Sequence, residues 1–163
     1  MTPARLKKTQ EIARLLRYYA LLSSTTAGSG HPTSALSAVD VMAYLFFNQF
    51  RFDLKNPNLP NNDRFILSKG HASPLFFSLY TVAGAITEKE LLTFRKKGSR
   101  IEGHPTVDFP YTEVPTGSLG QGLSAGVGMA INAKHLDKLP YQTYVLLGDG
   151  EMAEGSNYEA LAI

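Results

Sequence analysis

An acidic residue between two glycines follows a β-branched and aromatic run near the end of the sequence. The run predicts an apolar strand over about residues 142–147, and parallel sheets bind ligands at the carboxyl ends of their strands. There Asp149 would offer a hard oxygen to Mg²⁺, while Gly148 and Gly150 would let a bulky anion approach the backbone. The alternative is an ordinary turn, since Asp-Gly pairs are common there. The pattern predicts a metal and phosphate site that needs further ligands.

Three of the four histidines each follow a glycine in a predicted loop: His31, His71 and His104. If the strand ends bring these loops together, the imidazoles form a cluster suited to an oxygen-rich substrate or a developing oxyanion. Two alternatives remain, a set of hydrogen-bonded structural histidines and a zinc site, although the spacing matches no zinc motif. His135, beside Lys134 near a predicted helix end, fits a solvated C-terminal cation.

A glycine-rich turn over residues 116–122 leads into a predicted helix. It could cradle an anion with its backbone amides, or it could be a tight turn that packs closely on its neighbours. Charged residues form two further groups. The basic group is typical of a solvated face, with a phosphate-reading role for Arg95 as the minority alternative, and the acidic group fits the first turns of a helix. The groups are Arg95, Lys96, Lys97 and Arg100, and Glu151, Glu154 and Glu159.

Hydrophobic periodicity and capping signals place these residues on elements. The sequence predicts helices over about residues 5–22, 34–50, 75–83, 88–97 and 154–163, and one that begins behind a capping box at Ser118. It predicts a flexible turn over 23–30, strands over 64–68 and 142–147, and a weaker extended piece over 112–115. Thr33 or Ser34 is expected to cap the second helix, and Thr87 the helix at 88. Glycines 122, 126 and 128 are expected to allow close packing.

Strands that alternate with helices predict an α/β fold with a parallel sheet covered by helices on both faces, in three layers. A length of 163 residues, 44% hydrophobic and 18% charged, fits one globular domain over 1–163. The net charge of +2 gives no case for nucleic acid, and no apolar run approaches the roughly 18 residues of a membrane span. The amino terminus does not resemble a secretory signal, and the lack of cysteine favours the cytoplasm.

Taken in order, the motifs resemble the amino-terminal portion of the transketolase family. The matching segments are Ser29-Gly-His-Pro32, Asp63-Arg-Phe-Ile-Leu-Ser-Lys-Gly-His-Ala-Ser73, Phe94-Arg95, Gly98-Ser-Arg100, Gly103-His-Pro105, Thr116-Gly-Ser-Leu-Gly-Gln-Gly122 and Leu147-Gly-Asp-Gly-Glu-Met-Ala-Glu-Gly155. They cover nearly the whole chain. The long match ending at Ser73 and the series of three histidines separate the chain from other thiamine diphosphate families. Deoxyxylulose-phosphate synthase is the nearest alternative.

The resemblance implies the thiamine diphosphate-binding fold and the transfer of a two-carbon ketol unit from a ketose phosphate to an aldose phosphate. It implies a ligand role for Asp149 at a Mg²⁺ or Ca²⁺ ion. Backbone at Gly148 and Gly150 would approach the diphosphate. The remaining roles are also implied by resemblance alone. His71 would lie beside the diphosphate, Gly117 and Leu119 would contact the cofactor rings, and His31, His71 and His104 would face the reactive carbon and the sugar. Arg95 would line the substrate channel, and Glu154 and Glu159 would belong to a carboxylate network across a dimer.

Two parts of the family's site have no counterpart here. An asparagine that completes the metal site would be expected beyond Ile163, because Asn157 is too close to Asp149 and falls on the helix just begun. The pyrimidine-binding domain, with the glutamate that contacts the aminopyrimidine, is also expected outside this sequence. The resemblance therefore implies a homodimer or a complementary chain, and an isolated chain without turnover. A non-catalytic fragment that binds cofactor or a partner is the other possibility.

Overall fold

A computed structural model describes residues 2–163 and shows helices alternating with two parallel strands. The helices are α1 (Pro3–Ala27), α2 (Pro32–Leu36), α3 (Val39–Asn48), α4 (Ser73–Val82), α5 (Glu88–Leu91), α6 (Gly122–Ile131) and α7 (Gly155–Leu161), and the strands are β1 (Arg64–Leu67) and β2 (Thr143–Leu146). Short 3₁₀ turns cover Gly70–Ala72 and Gly150–Ala153, and a π-helical turn, Asn132–Leu136, extends α6. The predicted α/β class with a parallel sheet is confirmed.

Two compact units divide the chain, and each is built from two separate segments. The helical unit comprises the described residues up to Phe50 and residues His71–Gly103. The sheet unit comprises Arg51–Gly70 and His104–Ile163. No helix within residues 2–163 is long and apolar enough to cross a membrane.

In the helical unit, α1 packs against α3 and α4. The Thr2 side chain caps α1 by accepting from the Arg5 amide at 3.3 Å, and Gly28 ends the helix in the left-handed region at φ 60°. Aromatic side chains fill the space between helices. The ring pairs are Phe46 with Tyr80, Phe76 with Tyr80, and Phe77 with Phe94.

The turn predicted at residue 23 is wrong, because α1 continues through Ala27. Ser23 and Ser24 are buried, and both hydroxyls donate to the carbonyl oxygen of Ala20, at 3.2 and 2.8 Å. These hydrogen bonds give both buried hydroxyls an acceptor inside the helix, although serine is generally unfavourable in helix interiors. The predicted cap at Thr33 or Ser34 is also wrong, since α2 begins at Pro32 behind His31.

In the sheet unit, β1 and β2 pair in parallel from Arg64 opposite Thr143 to Leu67 opposite Leu146. The fully buried Asp63 joins the amino ends of both strands. Its carboxylate accepts from the backbone amides of Arg51 and Gln142, at 2.9 and 2.8 Å, and from the Arg51 guanidinium at 2.9 Å. One buried carboxylate thus aligns the starts of two strands that are far apart in sequence.

Helix α6 lies on the sheet at glycine positions. A Cβ built on Gly126 would lie 2.4 Å from Cγ2 of Val145, and one built on Gly122 would lie 2.4 Å from Oγ of Ser68. Real Cβ atoms essentially never come so close, so the predicted packing role is confirmed at these two positions. Gly128 differs, because nothing lies within 4 Å of its missing Cβ.

Three further predictions differ from the structure. The piece at 112–115 forms no strand, and α6 begins at Gly122 without a side-chain cap from Ser118. The Thr87 cap is confirmed, since its hydroxyl accepts from the Glu90 amide at 3.2 Å, but α5 ends at Leu91 rather than near residue 97. The chain then turns sharply, and Arg95 adopts the left-handed φ of 61°.

Candidate functional site

The loop Gly148–Gly150 follows strand β2 after one residue, Leu147. Asp149, the predicted metal ligand, is exposed there, and nothing lies within 4 Å of the missing Cβ of Gly150. The chain then enters the 3₁₀ turn Gly150–Ala153. A hard carboxylate oxygen is therefore available at the carboxyl edge of the sheet, with open backbone beside it.

Glu151, two residues further on, is 2% exposed and binds three different segments. Its Oε1 accepts from the Ser68 hydroxyl at 2.5 Å and from the Gly120 amide at 3.0 Å, and its Oε2 accepts from the Gly148 amide at 2.9 Å. The Asn157 side chain donates to the Glu151 carbonyl at 2.6 Å. Sequence reasoning treated Glu151 as an ordinary helix-start acid and missed this role. Its partners Ser68 and Gly120 lie far away in sequence, so no local pattern signals the contact.

Lys69 lies beside the same loop. Its stem packs under Gly148, whose missing Cβ would lie 3.6 Å from Lys69 Cδ, and the residue is only 7% exposed. Burial lowers the pKa of Lys69, and the carboxylates of Asp149 and Glu151 raise it by a smaller amount. This cation therefore balances part of the negative charge of the loop.

The glycine-rich turn is packed from several sides. Imidazole Cδ2 of His104 lies 3.1 Å from the missing Cβ of Gly117. At Gly120, where φ is 84°, a Cβ would lie 2.5 Å from Oγ of Ser156. Leu119 is exposed. Both sequence interpretations thus have support, because glycine is needed for close packing while part of the turn stays open.

In the helical unit, His31 and His71 come together. Their ring centroids are 5.2 Å apart in an edge-to-face arrangement, and Nε2 of His71 lies 3.1 Å from the Ser34 hydroxyl. His31 is exposed immediately before Pro32, which begins α2. The structure thus brings two of the three predicted histidines together beside the start of α2.

Arg95 is held in the same unit by several contacts. Its Nη1 donates to the Ser29 hydroxyl at 2.9 Å, and its guanidinium lies over the ring of Phe94. A Cβ on Gly103 would lie 2.8 Å from Nε of Arg95, so a side chain at that position would displace the guanidinium. The left-handed backbone of a non-glycine residue costs free energy, and such strain is common at functional positions.

The other predicted residues are distributed as follows. His104 lies in the sheet unit with Gly117, Leu119 and Asp149, whereas His31, His71 and Arg95 lie in the helical unit. Glu154 and Glu159 are exposed near and on α7. Across residues 2–163, no three side chains of the His, Cys, Asp or Glu type form a group that could hold a metal.

The described residues offer one carboxylate and open backbone toward a site for a diphosphate and a hard cation. The Asp149 carboxylate suits Mg²⁺ or Ca²⁺, and the small residues beside it leave room for an anion close to the backbone. Thr116, next to Gly117, adds a buried hydroxyl oxygen for which residues 2–163 supply no hydrogen-bond partner. A buried polar atom of this kind usually has a partner, and a ligand in the glycine-rich turn could provide one.

Comparison with known proteins gives the same family. Residues 8–163 match the transketolase thiamine diphosphate-binding domain. Human transketolase is 49% identical over 158 residues, which cover 97% of this chain and 25% of that protein. A transketolase structure from Leishmania mexicana has a TM-score of 0.90 at 34% identity and covers 94% of this chain and 25% of that one.

Another solved structure, the Pichia stipitis transketolase in complex with sedoheptulose 7-phosphate, has a TM-score of 0.84 at 36% identity, covering 93% of this chain and 24% of that one. The chain spans about a quarter of the length of these relatives. The order of motifs, the α/β fold and these matches agree, and the chain belongs to the transketolase family as a thiamine diphosphate-binding domain.

Proposed function

We propose that this chain supplies the diphosphate and metal side of an enzyme that moves a two-carbon ketol unit from a ketose phosphate to an aldose phosphate. The observation that carries the proposal is the exposed Asp149 carboxylate after β2. It lies between two glycines on a loop whose Gly148 amide donates to Glu151. The relative from Pichia stipitis with bound sedoheptulose 7-phosphate supports sugar phosphates as substrates.

In this proposal, Asp149 would ligate Mg²⁺ or Ca²⁺, and the backbone at Gly148 and Gly150 would lie against the diphosphate. Gly117 and Leu119 would contact the rings of the cofactor. When bound, thiamine diphosphate supplies a thiazolium that acts as an electron sink for the two-carbon fragment. The protein itself binds and orients the cofactor and the substrate, and it exchanges protons with the substrate.

His31, His71 and His104 are proposed to carry the proton and hydroxyl contacts. An imidazole titrates near neutral pH and can donate or accept, so it suits the sugar hydroxyls and the carbonyl oxygen of the substrate. The contact between His31 and His71 supports a shared task for these two. Arg95 is proposed to contact the substrate, and its fixed guanidinium suits an anionic group.

The remaining parts of the proposal concern assembly. Glu154 and Glu159 are exposed carboxylates that we assign to a network across a dimer. The partner is a second copy or a complementary chain that carries the pyrimidine-binding domain. The lack of cysteine favours a cytoplasmic location.

Cofactor binding and turnover test the proposal separately. Calorimetric titration of the purified protein with thiamine diphosphate should show binding that requires Mg²⁺ or Ca²⁺. The isolated 163-residue chain, given xylulose 5-phosphate, ribose 5-phosphate, cofactor and Mg²⁺, should form no sedoheptulose 7-phosphate. Sedoheptulose 7-phosphate formed by that chain alone would contradict the proposed need for a partner. Thiamine diphosphate binding that is absent, or that needs no metal, would contradict the proposed cofactor site.

A further inference from the structure

Glu151 occupies a position where one side chain fixes two parts of the candidate site. Of its two carboxylate oxygens, Oε2 holds the Gly148 amide at 2.9 Å and Oε1 holds the Gly120 amide at 3.0 Å. Gly148 begins the loop that presents Asp149, and Gly120 lies in the glycine-rich turn. We propose that Glu151 is a positioning residue that holds these two segments in their ligand-binding arrangement, and this inference rests on the proposed function.

The end of strand β1 is the third part of the arrangement. The Ser68 hydroxyl donates to Glu151 Oε1 at 2.5 Å and accepts from the Gly122 amide at 3.2 Å. Ser68 is the first residue after β1, so its position follows from the pairing of the two strands. Glu151 therefore connects both segments, the loop at Gly148 and the turn at Gly120, to the end of strand β1.

Hydrogen bonding explains why the position is an acid. Two amides and a hydroxyl all donate to Glu151, and a carboxylate group offers two acceptor oxygens for these three donors. A buried carboxylate also needs a compensating charge, and the neighbouring Lys69, 7% exposed, supplies one. Asp149 remains exposed and available to a cation, while Glu151 is buried and makes its hydrogen bonds within the protein.

A glutamine at this position is the sharpest test. Its side-chain amide has the same shape but only one acceptor oxygen, so it can accept from Gly148 or from Gly120 but not from both. Loss of residues that orient metal ligands typically weakens ligand binding 10–100-fold. Glu151→Gln should therefore weaken the Mg²⁺-dependent affinity for thiamine diphosphate by about 10–100-fold.

Asp63→Asn is the matched control. Asp63 is also a buried carboxylate that accepts from two backbone amides, but it lies at the amino ends of the strands, opposite the candidate site. This variant should lower the melting temperature and leave the cofactor affinity within about threefold. A purely structural role for Glu151 would make the two variants alike in both measurements.

Hydrogen exchange gives a readout that needs no ligand. The amides of Gly148 and Gly120 should exchange faster in Glu151→Gln than in the wild type, and unchanged exchange in the control is expected. If Glu151→Gln does not fold, Ser68→Ala decides, because it removes one arm and should weaken cofactor binding by roughly threefold or more.

The outcomes separate the two proposals. A wild type that binds cofactor with metal, together with an equally tight Glu151→Gln, overturns only the positioning role. A wild type that binds no cofactor overturns the proposed function and the positioning role with it. If Glu151→Gln does not fold, a folded Ser68→Ala that binds thiamine diphosphate as tightly as the wild type also overturns the positioning role.

Discussion

A Cβ on Gly126 would lie 2.4 Å from Cγ2 of Val145, so helix α6 crosses strand β2 at a distance that only glycine permits. We expect Gly126→Ala to lower the free energy of unfolding by about 1–3 kcal/mol, the range for overpacking a tight contact. Chemical denaturation measures this change. Trimming the partner should relieve it, so adding Val145→Ala to Gly126→Ala should recover part of the loss.

Gly128→Ala is the comparison for that variant. Both positions are in α6, but nothing lies within 4 Å of the missing Cβ of Gly128. Alanine favours helix over glycine, so this change should raise the free energy of unfolding by up to about 1 kcal/mol. Equal effects at the two positions would show that helix propensity, and not the contact with Val145, governs this region.

Asp149→Ala should abolish metal-dependent cofactor binding and leave the fold largely intact. The side chain is exposed and sits on a loop fixed by other residues, so its removal loses a ligand without a core contact. Titration with thiamine diphosphate at several Mg²⁺ concentrations should show more than about 100-fold weaker binding, beyond the usual effect of residues that only orient ligands. Asp108→Ala, another exposed acid of the sheet unit, should bind normally. Unchanged affinity in Asp149→Ala would remove this residue from the metal site.

The histidine variants His31→Ala, His71→Ala and His104→Ala should impair catalysis more than stability. Positioned acids and bases contribute about 100-fold or more to rate, so turnover in the assembled enzyme should fall by that order, or the KM for the sugar should rise. His135→Ala, on the π-helical turn, should leave both unchanged. If each of the three variants mainly lowers the melting temperature, the histidines are structural.

Glu113 gives a prediction for pH. Burial raises the pKa of Glu113 above its ordinary 4.5, and the neighbouring Arg64, at 3.4 Å, lowers it by less. The folded protein therefore holds this proton more tightly than the unfolded chain. The resulting stabilisation is complete below pH 4.5 and is lost as the pH rises through the raised pKa.

The measurement is the free energy of unfolding of wild type and Glu113→Gln across that range. Acidification from neutral pH should favour the wild type over the variant, because only the wild type gains from protonation. If acidification instead lowered the free energy of unfolding of the wild type relative to the variant, the ion pair with Arg64 would outweigh the cost of burying Glu113.

Local patterns in the sequence were sufficient for several elements. Strand β2 lies within one residue of its predicted bounds, and Thr87 caps α5 as its Thr-x-x-Glu pattern predicted. Tertiary contacts decided the rest. Ser23 and Ser24, which the sequence assigned to a turn, lie inside α1, where both hydroxyls donate to the Ala20 carbonyl. Nothing local could show this outcome, since the same residues also suit a turn.

The candidate site divides in the same way. Asp149, the glycine-rich turn and the Gly-His loops could be proposed from the sequence because their residue types are unusual at those spacings. The role of Glu151 depends on Ser68, 83 residues away, and on a geometry that exists only after folding. Lys69 was hidden for a similar reason, because a lysine after a strand gives no sign that its stem is buried under Gly148.

The two compact units alternate along the chain, and this order affects how the protein is made. The sheet unit needs Arg51–Gly70 and His104–Ile163, so the first of its segments leaves the ribosome well before its partner. Strand β1 must then wait, unpaired, until residues up to Leu146 have been synthesised, and closing so long a loop slows folding. The helical unit can be completed first, once Gly103 has emerged. During synthesis, the apolar Phe65-Ile-Leu67 segment is thus exposed to aggregation until strand β2 has been made.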